Sequence, residues 1–466
     1  MHVVEGLQGL TDLDLLFDGR QVEVVQEILG AHGFKRLPAH PSRRYPGVDD
    51  FFGVNEDTGR LLHLHLHYRL IVGERFFKNY RLPWEQEFLE TRVRDPSSGV
   101  FVAEPALEWL LLACRSALKI RWRDRLRARI TPHAGEARSM VGEHDWLTRE
   151  ADVASPAELA TRLVGERAGE LVHAALAHDL DIRHLKRLRR ELLRNARVLR
   201  GYGRASALRF RWAREARWIA GTINRRYLHR PFPYSRSGST GGTIVAVVGS
   251  DGAGKSTVSH MLTEWLSRKV DVLPIYFGSG QGRSSVLRWP LKLVLAIVRR
   301  RSTRPRLGPD ARRDRDVTLP RAVWAVVLAR EKRSKLRTAV RARERGFVVV
   351  CDRYPQTQVD GVNDGPLLWR WRESPTRLRR AVARWEASVY EAAAACGPDL
   401  VVRLLVTPET ALARRPEDDP EELRYRTRLV RDLRFDSARS GVIDIDANRD
   451  VESVVLEVKR RVWPAI

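Results

Sequence analysis

A glycine-rich segment that ends in lysine and serine is the part of this chain best suited to chemistry. It runs from Gly249 to Ser256 and matches the pattern G-x-x-x-x-G-K-[ST] at every fixed position. Glycines let successive backbone N–H groups turn toward one anion, and a following helix adds the partial positive charge of its N-terminus. A strand-like run, Ile244 to Val248, precedes the segment and an amphipathic run, Thr257 to Leu266, follows it. We therefore predict a loop that binds a polyphosphate.

Two side chains of this loop have distinct predicted roles. Lys255 is expected to place a point charge on the β- and γ-phosphates of a nucleoside triphosphate, and Ser256 to give a hydroxyl ligand to Mg²⁺. ATP and Mg²⁺ are therefore the expected cofactors. A fortuitous glycine-rich turn is the alternative. The residues predicted to contact the nucleotide are Gly249, Ser250, Asp251, Gly252, Ala253, Gly254, Lys255, Ser256 and Thr257.

A second chemical pair, Asp352 and Arg353, follows the apolar run Phe347 to Cys351. A carboxylate at the carboxyl end of a parallel strand faces the ligand crevice of an open α/β sheet, and a neighbouring guanidinium can grip a phosphate bidentately. A local surface ion pair is the alternative. Two motifs resemble those of thymidylate kinases, which are P-loop nucleoside monophosphate kinases. They are the loop with Asp251 and the sequence Asp352-Arg353-Tyr354 at the end of a strand. The resemblance implies that Asp352 serves Mg²⁺ and its waters and that Arg353 holds the acceptor phosphate.

The resemblance continues in the family's motif order from about residue 243 to residue 466. Pro398 to Arg415 resembles the fourth strand and the helix leading to the lid, and Val442 to Arg449 resembles the last strand and the adenine-side loop. Phosphoryl transfer needs positive charge on the migrating group, and the phosphate loop has no arginine, so a lid must supply it. Arg415 is taken as the catalytic lid residue, and Pro416 to Glu422 as the mobile tip. The full set of lid candidates is Arg414, Arg415, Arg424, Arg426 and Arg428.

Two segments depart from the thymidylate kinase pattern. Tyr276 to Gly282 replaces the family's acceptor-side Arg-Glu-Pro, and Pro355 to Gly361 replaces its Ser/Ala/Tyr/Gln-rich stretch. Both belong to the family's monophosphate and thymine pocket. Triphosphate binding therefore carries over, whereas thymidylate as the acceptor does not, and the expected acceptor is a nucleoside monophosphate or a related small molecule.

The N-terminal region carries a different pair of carboxylates, Asp12 and Asp14, in a strand-like run. Alternate residues of a strand share a face, so both could hold Mg²⁺ over a triphosphate. The run resembles the D-x-D strand of minimal nucleotidyltransferases, but His65 stands where that family has its third carboxylate. His63, His65 and His67 also alternate along a strand. They extend over about 13 Å, so all three cannot reach one ion, and packed or solvent-facing histidines are the alternative to a metal-binding pair.

The order of these patterns predicts an α/β protein with several regions. We expect a nucleotidyltransferase-like α+β domain at 1–150, a basic helical connector at 151–230, a linker at 231–242 and a parallel-sheet P-loop kinase domain at 243–466. The strand-like runs of the last region are Ile244 to Val248, Phe347 to Cys351, Leu400 to Val406 and Val442 to Ile445. Leu61 to Val72 is expected to be a strand and Phe101 to Lys119 a helix.

The net charge of +25 suits phosphate-rich partners, although arginines dispersed over solvated faces give the same total. Basic residues recur at helical spacing from 183 to 230, which fits either a solvated connector or a surface for nucleic acid or an anionic membrane.

The longest apolar run, Trp289 to Val298, is too short to span a bilayer. The three cysteines are too scattered for a disulfide framework and no signal-peptide pattern opens the chain, so a reducing, cytoplasmic setting is expected. The sequence leaves open whether the chain forms a homodimer.

Three functions remain in competition at this point. The first is ATP-dependent phosphorylation of a nucleotide or a related small molecule. The second is a nucleic-acid-associated ATPase or switch that binds through the basic middle region. The third is a protein with two activities, in which the N-terminal region transfers nucleotidyl groups.

Overall fold

The computed structural model describes most of the chain, and its residues form two compact units. The units are Met1–Asn55 with Arg60–Leu228, and Glu56–Gly59 with His229–Ile466. The apolar run Trp289 to Val298 lies outside the described residues. Those residues are 3–40, 44–73, 80–119, 147, 155–177, 182–194, 199–200, 204–224, 231–233, 235–238, 241–278 and 317–466.

The first unit combines small sheets with helices. Its strands are β1 (Leu13–Leu16), β2 (Lys35–Arg36), β3 (Val48–Val54), β4 (Leu61–His67), β5 (Leu70–Val72), β6 (Tyr80–Leu82), β7 (Val93–Arg94), β8 (Phe101–Val102) and β9 (Leu199–Arg200). Its described helices of five residues or more are α1 (Val3–Leu7), α2 (Val22–Ala31), α3 (Glu85–Glu90), α4 (Pro105–Lys119), α5 (Ser155–Leu163), α6 (Glu166–Ala177), α7 (Ile182–Arg194) and α8 (Arg204–Ile223).

The largest sheet of this unit has the strand order β1-β4-β3-β2. Strand β1 runs parallel to β4, whereas β3 runs antiparallel to it. The predicted strand from Leu61 to Val72 is wrong as a single element, because β5 turns away and pairs with β6 in another sheet. Tyr68 lies at this break, and its backbone N–H donates to the carbonyl of Gly47 at 2.8 Å.

Helix α4 forms the centre of the first unit's core. Trp109 and Leu110 are fully buried and belong to one cluster with Ala160 of α5, Val172 of α6 and Leu188 of α7. The predicted helix from Phe101 is too long at its start, since Phe101–Val102 pairs with β7. The carboxylate of Glu104 instead begins the helix by accepting the backbone N–H groups of residues 106 and 107 at 3.0 and 2.8 Å.

The second unit is an α/β domain. Its strands are β10 (Thr243–Gly249), β11 (Val272–Tyr276), β12 (Val348–Asp352), β13 (Leu400–Leu405) and β14 (Val442–Asp446). Its described helices of five residues or more, apart from short 3₁₀ segments, are α9 (Lys255–Ser267), α10 (Leu319–Glu344), α11 (Arg377–Cys396), α12 (Pro408–Arg414), α13 (Pro420–Asp432) and α14 (Val451–Val462).

The strands of this unit form one parallel sheet in the order β11-β12-β10-β13-β14. In the central strand, Ile244 and Ala246 pack with Leu336 of α10 and Ala393 of α11. The alternate residue Val245 is equally buried, so both faces of the strand are covered. The predicted parallel α/β sheet is therefore confirmed, and it fits a P-loop NTPase domain. Among the described residues, no helix is both long and apolar enough to cross a bilayer.

Candidate functional site

The glycine-rich loop lies where the central strand β10 meets helix α9. Gly252 and Gly254 have φ angles of 80° and 86°, in the left-handed region that side chains disfavour. A Cβ atom on Gly252 would also lie 2.8 Å from the carbonyl oxygen of Ala411 in α12. Around Gly254, by contrast, a Cβ atom would meet nothing within 4 Å. The loop is thus tight on the side of α12 and open where α9 begins.

Lys255 is the first residue of α9, and its side chain turns back into the loop. It is buried, and its Nζ donates to the carbonyl oxygen of Ser250 at 2.5 Å. The carboxylate of Asp251 lies 3.7 Å away. Burial and the nearby Arg353 guanidinium lower the pKa of Lys255 to about 8, although Asp251 partly opposes them. The ammonium group is held at the centre of the loop with little solvent around it.

Ser256 and Asp352 come together from different elements. The parallel register pairs Val247 of β10 with Asp352 at the end of β12, which brings the carboxylate to the loop. The hydroxyl of Ser256 donates to Oδ2 of Asp352 at 2.6 Å. The other carboxylate oxygen of Asp352, Oδ1, is buried without a hydrogen-bond partner among the described residues. A buried acceptor in this state suits a cation or its bound water, so the donor set fits Mg²⁺.

Asp251 connects the loop to two arginines. Its Oδ1 lies 2.7 Å from the guanidinium of Arg353, and its Oδ2 lies 2.7 Å from that of Arg426 in α13. Burial favours a higher pKa for the Asp251 carboxyl, but Lys255 and Arg353 outweigh it and hold that pKa well below its usual range. The ionised carboxylate therefore stabilises a compact group of three cations.

The lid candidates differ in where their guanidinium groups lie. Arg426 contacts Asp251, whereas Arg414 donates to the carbonyl of Gly252 at 3.3 Å. Arg415 is half-exposed and lies 3.8 Å from Asp418, so the structure does not bring it to the loop. The remaining two, Arg424 and Arg428, are exposed, as is the predicted contact residue Thr257.

Arg353 adopts a left-handed backbone conformation, with a φ angle of 72°. This conformation is uncommon for a residue with a side chain, and residues that adopt it are concentrated at functional sites. Its backbone N–H donates to the carbonyl of Val247 at 2.9 Å. Its guanidinium lies between Asp251 and Asp364, the latter at 3.4 Å. The left-handed backbone at Arg353 thus places its guanidinium beside the loop that follows the central strand β10.

A buried group of charges beyond Arg353 was missed by sequence reasoning. Asp364 lies 3.6 Å from the ammonium of Lys332, which is itself buried and stacked on the ring of Tyr390. Glu386 is fully buried and accepts the backbone N–H groups of residues 367 and 368 at 2.9 and 2.8 Å. Lys332 belongs to a helix with many basic residues, so only its tertiary position distinguishes it.

The described parts of the two departures from the thymidylate kinase pattern are held by hydrogen bonds to the backbone. Gln356 holds the second of them in shape, because its amide oxygen accepts the N–H groups of residues 358 and 359 at 2.7 and 2.8 Å. In the first, Phe277 is fully buried and its N–H donates to the carbonyl of Asp352 at 3.0 Å. Residues 279–282 lie outside the described residues. A cleft by the loop is lined by Gly249, Lys255, Arg353, Tyr354, Asn363 and Asp364, among others.

Replacing Glu386 with leucine should lower the free energy of unfolding of the second unit by about 2–5 kcal/mol, because two buried N–H groups lose their acceptor. Urea denaturation followed by circular dichroism measures the change. The matched control is Glu391→Leu, on an exposed position of the same helix, which should change stability by less than about 0.5 kcal/mol. Equal effects of the two substitutions would contradict this account of Glu386.

The parallel sheet and the glycine-rich loop together fit a P-loop domain. No family model matches the chain. It is similar to the uncharacterized ATP-binding protein YghR of Escherichia coli (strain K12), with 27% identity over 222 residues, 47% of this chain and 86% of that protein. It is also similar to the uncharacterized ATP-binding protein YghS of the same strain, with 27% identity over 233 residues, 49% of this chain and 95% of that protein.

Among solved structures, two of deoxyadenosine kinase from M. mycoides, one with bound dATP and one with bound dCTP, match 47% of this chain and 98% of theirs. For both structures, the sequence identity is 14% and the TM-score is 0.28.

Proposed function

We propose that the second unit catalyses ATP- and Mg²⁺-dependent transfer of a phosphoryl group to a nucleoside monophosphate or a related small molecule. One observation carries the proposal. The buried ammonium of Lys255, the Ser256–Asp352 pair and the guanidinium of Arg353 meet at one glycine-rich loop at the carboxyl edge of the parallel sheet. The names of the relatives as ATP-binding proteins support nucleotide binding here as well.

The nucleotide would bind with its phosphates over the loop. Lys255 supplies a cation that is already desolvated, so its attraction to a phosphate is weakly screened. Ser256 and Asp352 would hold Mg²⁺, directly or through water, which neutralises phosphate charge and orients the triphosphate when it is bound. The buried Oδ1 of Asp352 gains a partner in this arrangement.

Arg353 and Arg426 would stabilise the transferring group. Both guanidinium groups already lie 2.7 Å from one carboxylate, that of Asp251, which shows that they can share a single anion. Phosphate oxygens present the same geometry to a guanidinium as carboxylate oxygens do. In this proposal Asp251 positions the two arginines before the nucleotide arrives, and phosphate oxygens replace part of its contacts.

The acceptor would enter on the side of Arg353 that faces Asp364. Asp364 follows closely on the segment Pro355 to Gly361, which differs from thymidylate kinases and is ordered by Gln356. The acceptor is therefore proposed only as a nucleoside monophosphate or a similarly sized molecule with a phosphate or hydroxyl group.

A panel of acceptors tests this proposal. The full-length protein is incubated with Mg-ATP and each nucleoside monophosphate in turn, and ADP release is measured. We expect release to rise with one acceptor or a few, and Lys255→Ala to abolish the rise. ADP release that no acceptor changes would reject the kinase proposal in favour of an ATPase.

The nucleic-acid-associated ATPase remains the second candidate, but the contacts of α7, the first helix of the basic region, favour a structural role for that helix. In α7, Leu188 and Leu192 are buried in the core of the first unit. Arg189 donates to the carbonyls of residues 117 and 118 at 3.2 and 2.7 Å, so it caps the end of α4. A steep salt dependence of DNA or RNA binding by the full-length protein would restore this candidate.

A further inference from the structure

A cluster of histidines and carboxylates lies across three strands of the first unit. Strand register places Asp14 of β1 and Asp50 of β3 on either side of His65 in β4. Residues directly opposite each other in a sheet point to the same face, and so do residues two positions apart. His63 and His67 therefore share the face of His65. This cluster belongs to the region where the sequence indicated only an incomplete carboxylate set.

The distances within the cluster are short. Oδ1 of Asp14 lies 2.9 Å from Nδ1 of His65 and 3.3 Å from Nε2 of His67. One ligand atom from each of these three residues lies within 4.8 Å of the other two. A tetrahedral ion with bonds of about 2.0–2.1 Å separates its ligand atoms by roughly 3.3 Å. The distances from Asp14 to the two histidine nitrogens are thus close to the separation that one small ion requires.

We propose that Asp14, His65 and His67 bind a first-row divalent transition metal ion, with Zn²⁺ as the best fit. Two imidazole nitrogens and one carboxylate oxygen are ligands that Zn²⁺ accepts readily, whereas Mg²⁺ prefers oxygen ligands throughout. The site holds three protein ligands, so one coordination position is left for water or for an oxygen atom of a ligand. Metal binding at this site of the first unit does not rest on the proposed phosphoryl transfer.

Asp50 gives the cluster a feature common in metal centres. Its Oδ1 lies 3.3 Å from Nε2 of His65, the nitrogen on the opposite side of the ring from the one that faces Asp14. A histidine that ligates a metal usually donates its other N–H to a carboxylate, which fixes the tautomer and the ring orientation. With the proton of His65 on Nε2, the lone pair of Nδ1 is directed toward the proposed ion.

The neighbouring set Asp12, His63 and His65 is less suited to bind an ion. Both ring nitrogens of His63 face carboxylates, Asp12 at 3.2 Å and Asp50 at 3.0 Å. The ring is 2% exposed and stacks on Phe52 with 4.2 Å between centroids, so it is held as part of the core. In contrast, the side chain of Asp14 is 56% exposed, which gives an ion access to the first set.

Titration of the full-length protein with Co²⁺ tests the proposal, since four-coordinate cobalt absorbs visible light far more strongly than six-coordinate cobalt. We expect one equivalent to produce intense bands that Zn²⁺ removes and excess Mg²⁺ leaves in place. His67→Gln and Asp14→Asn should each weaken binding by at least about tenfold. Asp14→Asn removes a ligand whose side chain is more than half exposed, so it should keep the fold, which circular dichroism checks.

Two control variants complete the experiment. His32→Gln changes an exposed histidine of the same unit and should leave the bands unchanged. Asp352→Asn removes the carboxylate at the phosphate loop and should also leave them unchanged. The proposal is overturned if no intense bands form, if they persist in both Asp14→Asn and His67→Gln, or if Asp352→Asn removes them. A failure of ATP binding or of phosphoryl transfer leaves this result unaffected.

Discussion

Arg426→Ala should lower the turnover number of phosphoryl transfer by about 10³-fold or more, within the range of 10³–10⁵ known for arginines that stabilise the transferring phosphoryl group. Arg426 is the lid candidate whose guanidinium lies 2.7 Å from Asp251 of the loop. Helix α13 holds it there, and Arg403 in turn fixes the end of that helix by donating to the carbonyls of residues 431 and 433 at 2.8 and 2.9 Å. Steady-state kinetics at saturating Mg-ATP, with the acceptor identified in the panel, measures the effect.

The pattern of the loss distinguishes a role in transfer from a role in binding. Because Arg426 is proposed to act on the migrating group, nucleotide affinity measured by calorimetry should change much less than turnover. The matched control is Arg428→Ala, on an exposed position of the same helix, which should change turnover by less than about twofold. If Arg415→Ala lowers turnover as much as Arg426→Ala, the assignment from the sequence is correct and the one from the structure is wrong.

The phosphate loop and the parallel sheet could be predicted because their signals are local. The loop motif lies in consecutive residues, and each buried strand is a short apolar run bounded by polar ones. Asp352 could be expected near the loop because the carboxyl ends of parallel strands share one edge, and the structure pairs Val247 of β10 with Asp352.

Which of the lid candidates lies at the loop could not be predicted in the same way. Several arginines lie between residues 414 and 428, and nothing in their spacing separates one from another. What separates them is the path of the chain, since Arg415 ends beside Asp418 while Arg426 faces the loop from α13. Packing of distant segments decides this, and the packing is not encoded in any short window.

The histidines of β4 in the first unit show the same limit of prediction from short stretches of sequence. Period-two spacing correctly placed His63, His65 and His67 on one face of a strand. Spacing within one strand cannot show which strand lies beside it, so Asp50 was missed although it pairs with His65. A seven-residue strand with Asp49 and Asp50 near its start was the available signal, but two adjacent acids read equally well as a solvated loop.

Asp352→Asn should lower the rate of phosphoryl transfer by about 10²–10³-fold at ordinary Mg²⁺ concentrations, because a charged partner of the ion is lost at a cost of several kcal/mol. An amide has nearly the same shape as a carboxylate and can still accept the hydrogen bond from Ser256. The substitution therefore removes charge from a buried position without opening a cavity. The measurement is the initial rate as a function of Mg²⁺ concentration at fixed ATP.

The dependence on Mg²⁺ separates this role from a merely structural one. If Asp352 serves the ion, the Mg²⁺ concentration at half-maximal rate should rise by about tenfold or more in Asp352→Asn, since weaker binding is compensated by higher concentration. Asp432→Asn makes the same chemical change on an exposed carboxylate at the end of α13. It should leave the Mg²⁺ concentration at half-maximal rate unchanged. A variant at position 352 that loses rate but keeps the wild-type half-saturation would show that this carboxylate does not serve the ion.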